Sequence, residues 1–115
     1  MHFAERLNLA ARRAGNPVLV GIDPRPEDLP PGFLDRFPGD RRGVARALGQ
    51  FGRDVVDVVA PMVPAVKFQA AFYEAYGPEG IEALHQTAQH AKEQGLVVLL
   101  DAEVIEAAEE EVEGE

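Results

Sequence analysis

An α/β fold built from parallel β/α units is the class this sequence predicts, on three observations. Leu96-Val97-Val98-Leu99-Leu100 is an unbroken apolar run entered from Gly95 and closed by Asp101. That is the pattern of a strand buried on both faces, which implies helices above and below a parallel sheet. Val18-Leu19-Val20-Gly21-Ile22 leads into Asp23 in the same way, and Pro64-Ala65-Val66 leads into Lys67. In such sheets the groups that do chemistry sit where strands end. Two carboxylates and one ammonium are therefore expected at one mouth.

The first element is a short amphipathic helix from His2 to Ala14. Phe3, Leu7, Ala11 and Ala14 fall on one face, Glu5, Arg6, Arg12 and Arg13 elsewhere, and Gly15 stops it. Asn16-Pro17 then breaks the backbone, because the residue before proline is pushed out of the helical region. A strand over 18–22 follows. Between Asp23 and Gly43 stand Pro24, Pro26, Pro30, Pro31 and Pro38 with Gly32 and Gly39, too many fixed torsions and missing donors for any regular element. The segment reads as a stiff loop forming part of a site wall, the alternative being a surface detour without a role.

Val44, Leu48, Phe51, Val55 and Val58 are spaced as one stripe of a helix that ends before Pro61 and packs on the sheet. Pro61 and Pro64 bracket the turn into the second strand, where Val66-Lys67-Phe68 sets one of only two lysines beside large apolar side chains. Residues 69–77 read as a second loop, and Pro78 suits the first turn of a helix. Ile81, Leu84, Ala88 and Ala91 give that helix a buried face, Gly95 ends it, and the third strand follows at once. Right-handed parallel crossovers are expected between the strands.

At 115 residues the chain holds one domain at most, and a complete barrel of eight β/α units, which needs about 250 residues, is excluded. The formal charge of −9 is concentrated at one end, since Glu103, Glu106, Glu109, Glu110, Glu111, Glu113 and Glu115 carry seven of those charges with no basic residue among them. Removing them leaves residues 1–102 close to −2. With no basic stripe interleaved with aromatics, nucleic acid is not an expected partner. The absence of cysteine excludes disulfides, thiolate metal sites and thiol nucleophiles. No window is apolar enough for a spanning helix or a leader, so a soluble, unexported, cytoplasmic protein is expected. Val104, Ile105, Ala108 and Val112 make a weak stripe opposed by like charges on adjacent turns, and 103–115 is expected to be a frayed helix or disordered.

A lysine on an apolar strand needs a carboxylate partner such as Asp23 or Asp101 to hold its charge. The result is either a structural ion-pair network or a catalytic cluster, and spacing alone leaves both open. His2, His85 and His90 lack metal-ligand spacing with a carboxylate partner, and the last two are expected to face solvent. No Gly-rich phosphate loop precedes a helix, and no nucleophile elbow is present.

Residues 16–30, Asn16-Pro17-Val18-Leu19-Val20-Gly21-Ile22-Asp23-Pro24-Arg25-Pro26-Glu27-Asp28-Leu29-Pro30, carry a family resemblance together with Val66-Lys67-Phe68-Gln69-Ala70-Ala71-Phe72-Tyr73-Glu74 and Gly95-Leu96-Val97-Val98-Leu99-Leu100-Asp101-Ala102. Residues 1–102 resemble the N-terminal portion of orotidine 5'-phosphate decarboxylase, in its bacterial subgroup with a long proline-rich first loop. The resemblance implies a fragment of a TIM (β/α)8 barrel, about two and a half units plus the leading helix. It also implies a homodimer with active sites at the interface that converts orotidine monophosphate to uridine monophosphate (UMP) and carbon dioxide, in de novo pyrimidine biosynthesis, without metal or cofactor.

By the same resemblance Asp23 would hold the ribose hydroxyls, Lys67 would belong to the charged network under the substrate, and Asp101 would face the departing carboxylate. The family pattern continues Asp, any residue, Lys, two residues, Asp, the lysine protonating carbon 6. Here those positions read Asp101, Glu103, Glu106. A glutamate offers no cation to a developing carbanion, a loss that typically costs ~10³-fold or more in rate. The loops that bind phosphate after strands seven and eight are also missing, so this chain is expected to be truncated and inactive alone. Codons for the family's Arg-Gly-Asp-Ile, read one base late, give Glu-Val-Ile, which matches Glu103-Val104-Ile105; an out-of-frame or artificially joined tail is the reading that follows. The alternatives are a non-catalytic α/β fragment or interaction module with a structural Lys/Asp network, and a related metal-dependent barrel acting on sugar phosphates. Exposed strand edges and half-covered apolar faces predict self-association or partial order.

Overall fold

Helix and strand alternate along residues 2–101, the part of the chain that the computed structural model describes. Helix α1 (Phe3–Ala14) ends on Gly15 in the left-handed region at φ 77°, a conformation glycine adopts without a Cβ penalty. Strand β1 (Leu19–Gly21) leads through the proline-rich segment to helix α2 (Arg41–Val59). Strand β2 (Ala65–Gln69) is followed by the short helix α3 (Ala70–Glu74), then α4 (Gly77–Glu93) and strand β3 (Val97–Asp101). The acidic stretch 103–115 lies outside the described residues.

The three strands form one sheet in the order β1-β2-β3, and both pairings are parallel. Leu19 aligns with Ala65 and Val97, Gly21 with Lys67 and Leu99, and Gln69 with Asp101. Because side chains alternate along a strand, aligned residues share a face. Val66 and Phe68 on one face pack with Ile22, Val56 of α2, Tyr73 of α3, and Leu84 and Ala91 of α4 in the main core cluster. Lys67, Gln69, Leu99 and Asp101 stand on the other, and none of them is fully buried.

That asymmetry corrects the expected strand with both faces covered. Leu100 aligns with the fully buried Phe68 yet is 46% exposed, because β3 is the sheet edge and no described element covers it from beyond. Helix α1 touches β2 and β3. It sits at their entry end, where Ala10, Arg13 and Ala14 share a recess with Pro61, Pro64 and Gly95.

Two segments read as loops contain regular structure. The stretch 23–43 holds 3-10 turns at Pro26–Asp28 and Leu34–Arg36. The helix after it starts at Arg41 because the Asp40 side chain accepts a 2.8 Å bond from the Gly43 N–H, an N-cap on a donor the helix leaves free. Leu29 and Phe33 of that segment are buried with Leu48, so its apolar residues overcome its prolines. The stretch 69–77 contains α3 and the first residue of α4. Tyr73 plants that helix in the core.

The valine stripe also needs correction. Val58 is 67% exposed, whereas the buried positions of α2 include Ala45, Gly49, Gly52 and Val56. Small residues let α2 meet α4 closely: a Cβ at Gly52 would lie 3.0 Å from Thr87 Cγ2, and one at Gly49 would lie 3.2 Å from Ala83 Cβ. Thr87, buried at that contact, donates to the Ala83 carbonyl at 2.8 Å. Hydrophobicity alone picks the valines, but close approach of two helices selects for small side chains. His90, expected to face solvent, is instead half-buried and bonds Asp57 at 2.7 Å across the same helix pair, while His85 is exposed.

Candidate active site at the strand ends

Lys67 stands two register rows below the end of the sheet, and that offset creates its ion pair. It aligns with Leu99, while Asp101, two residues on along β3, points to the same face and aligns with Gln69. A lysine is long enough to cross this diagonal, and its Nζ lies 3.5 Å from Asp101 Oδ2. Opposite Lys67 on β1 stands Gly21, which has no side chain to obstruct it.

Asp23 reaches the site differently. The ladder runs one bond past β1, with the Ile22 N–H donating to the Lys67 carbonyl at 2.8 Å. Asp23 Oδ1 then accepts from the Gln69 N–H at 2.8 Å. A carboxylate from the first strand end is thus fixed on the backbone of the second. Among the described residues no ion pair within 4 Å joins Lys67 to Asp23. The expected carboxylate partner for Lys67, Asp23 or Asp101, is Asp101, while the Gln69 N–H holds Asp23 at the sheet's end.

Lys67 is also less enclosed than a lysine on an apolar strand suggests. Its side chain retains 40% of its exposure and that of Asp101 27%, because the flanking Val66 and Phe68 point to the opposite face. Ion pairs this open contribute about 0–1 kcal/mol. Stability therefore gives little reason for placing these charges here.

Tyr73 is the residue the sequence reading missed. Its hydroxyl donates to the Ile22 carbonyl at 2.9 Å, so α3 pins the backbone immediately before Asp23. Burial, reinforced by the charge of Asp23, pushes the phenol well above its ordinary pKa. Gln69, like Tyr73, lies within the 66–74 motif, and strand alternation from Lys67 places it on the charged face. No sequence periodicity marks Tyr73, since a five-residue helix is too short to display one.

The start of the proline-rich segment forms a wall beside Asp23. Pro24, Arg25 and Pro26 face Gln69, Phe72 and Tyr76 across a concavity of about 460 Å3. The Arg25 guanidinium lies 5.0 Å from the centre of the Phe72 ring, a cation–π contact that ties this wall to α3. Among the described residues no group of three or more His, Asp or Glu side chains converges as a metal site would require, and no helix is long and apolar enough to cross a membrane.

No family model matches the chain. A Rhodopirellula baltica protein named orotidine 5'-phosphate decarboxylase is 44% identical over 102 residues, covering 88% of this chain and 34% of that protein. The chain resembles one third of an orotidine 5'-phosphate decarboxylase. A decarboxylase of the same name from Caldicellulosiruptor saccharolyticus is 33% identical over 105 residues, again 88% of this chain and 34% of the relative. Solved structures agree. A Streptomyces avermitilis protein designated an orotidine 5'-phosphate decarboxylase superposes with a TM-score of 0.67 at 31% identity, over 87% of this chain and 32% of its own. One from Toxoplasma gondii designated an orotidine-monophosphate decarboxylase gives 0.71 at 27% identity, over 88% and 31%. The chain therefore spans about one third of the length of the decarboxylases it matches. Its leading helix and two and a half β/α units are a partial TIM barrel.

Proposed function

We propose that residues 1–102 form the floor of a nucleotide site of the orotidine 5'-phosphate decarboxylase type, acting on orotidine monophosphate in de novo pyrimidine biosynthesis. The observation that carries this reading is the 3.5 Å pair between Lys67 Nζ and Asp101 Oδ2 on the face left open by the helices, with Asp23 anchored at the same end of the sheet. Charges that stabilise the fold so little are better explained by what they meet when the face is covered. Closure by further β/α units would remove water from this face, and the same charges would interact more strongly in the lower dielectric.

In the proposed reaction the carbon–carbon bond to the substrate carboxylate breaks, carbon dioxide leaves, and the electron pair stays on carbon 6 until a proton arrives. Asp101 faces the departing carboxylate and raises its energy by like-charge repulsion. Lys67, paired with Asp101, adds positive charge beneath the developing carbanion. Asp23 accepts hydrogen bonds from the ribose hydroxyls. None of these roles requires a metal or an organic cofactor. The proton must come from elsewhere, because the position two residues beyond Asp101 is Glu103, which lies outside the described residues and is acidic in the sequence. Cytoplasmic location and a homodimer with shared sites belong to the same proposal.

The test is to join the remaining β/α units of the Rhodopirellula baltica relative after residue 102 and to titrate UMP into that protein and into the present chain, with and without magnesium. Saturable, magnesium-independent binding by the extended protein alone is the expected result. With position 103 kept as glutamate the extended protein turns over ~10³-fold or more slowly than with Glu103→Lys. A magnesium requirement would favour the sugar-phosphate alternative. An extended, folded protein that ignores UMP would overturn the proposal and leave the pair as a structural network.

A further inference from the structure

A concavity larger than the one beside Asp23 lies away from the strand ends. It is a groove of about 610 Å3 on the outer helical layer, between α2 and α4, within the range of small-molecule sites. Gly49 and Ala83 make its floor, close enough that a Cβ on Gly49 would approach Ala83 Cβ to 3.2 Å. Two small residues facing each other leave a recess where larger side chains would fill the surface.

One wall is cationic. Arg42, Arg46 and Arg53 all line the groove, and spacings of four and seven put them on one face of α2. Their charges are poorly matched within the protein. Arg46 has no carboxylate within 4 Å among the described residues, Arg42 has only Glu79 at 3.9 Å, and Arg53 donates to the neutral Gln50 amide oxygen at 3.2 Å. The opposite wall carries two carboxylates: Glu82 accepts from Gln86 at 3.2 Å, and Glu79 has one oxygen 3.9 Å from Arg42 while its other is buried without a hydrogen-bond partner among the described residues.

The helix also carries these charges against its own dipole. Arg41 and Arg42 occupy the first turn of α2, which has no acidic residue. Cations at a helix N-terminus are unfavourable, so helix stability does not account for them. Arg41 is turned to α4, its guanidinium carbon 3.5 Å from where a Gly77 Cβ would stand.

We propose that this groove binds a small phosphorylated molecule, its phosphoryl oxygens held by the forks of Arg46 and Arg53 with Arg42 at the rim. Guanidinium matches the geometry of a phosphoryl group bidentately, and the three arginines outnumber the two carboxylates of the groove. The site is distinct from the strand-end site and does not depend on the decarboxylase reading.

Titration of the full chain with inorganic pyrophosphate at constant ionic strength, followed by amide resonances, tests it. Saturable shifts confined to 42–53 and 79–86 are expected, with Arg46→Gln and Arg53→Gln each weakening binding about tenfold and Arg46→Lys by less. Arg46 is exposed, so its variants keep the wild-type spectrum in the absence of ligand. Citrate, which offers carboxylates in place of phosphoryl oxygens, should bind more weakly. Absence of saturable shifts, shifts mapping elsewhere, affinities equal in wild type and variants, or tighter binding of citrate would each overturn the proposal.

Discussion

The two faces of the sheet obey different rules, although they alternate residue by residue along the same strands. On the helix side Val66 and Phe68 are fully buried among Ile22, Val56, Tyr73 and Leu84, and no charge intrudes. On the other side Ala65 and Val97 are buried at the entry end, but toward the exit end Lys67, Gln69 and Asp101 remain half-buried, with Lys67 and Asp101 paired. The first face is explained by the free energy of removing apolar area from water. For the second, so weak an ion pair provides no comparable return in stability. One face holds the fold, and on the proposed reading the exit end of the other holds chemistry in place.

The sharpest way to break that contrast is to exchange large for small on each face of β2. Phe68→Ala should cost about 3 to 5 kcal/mol in urea unfolding, enough to unfold a partial barrel outright. Close behind comes the helix layer that supports the first face. Gly52→Val forces a branched side chain against Thr87 and should cost about 1 to 3 kcal/mol. A loss below 0.5 kcal/mol at either site, on the order of an ordinary surface substitution, would mean the core is not packed as described.

Tyr73→Phe tests the link between the faces. It keeps the ring in the core but leaves the Ile22 carbonyl without its donor, and should cost about 1 to 2 kcal/mol. The same residue sets a pH dependence. Its pKa is raised on folding above the ordinary value of 10, so the folded state keeps the phenolic proton where the unfolded chain has lost it. The stabilisation is complete below pH 10 and declines as pH rises, by about 1.4 kcal/mol per unit. Thermal melts of Tyr73→Phe should lack that slope. The smallest effect belongs to the charged face: Lys67→Met and Asp101→Asn should each change stability by less than about 1 kcal/mol.

Much of this was legible in the sequence because apolar runs ending in charges, with glycines and prolines as boundaries, report strands and their mouths. Asp23, Lys67 and Asp101 all fall at one end of one parallel sheet because each follows or interrupts such a run. What remained hidden depended on neighbours. The run 96–100 is the same whether a strand is central or at an edge, and only the sheet order reveals that Leu100 is uncovered. The glycines of α2 look like weak helix positions until α4 is seen against them. Asp23 looked like a partner for Lys67, but strand counting does not reveal that a backbone N–H captures it.

The central claim is that Lys67 belongs to a nucleotide floor and contributes little to the fold. The affinity of the extended protein for UMP, measured with Lys67 and with Lys67→Met at matched folded fraction, tests it most directly. The account predicts that the substitution weakens binding by about tenfold or more while unfolding free energy barely moves. Unchanged affinity, with the loss appearing in stability, would contradict it.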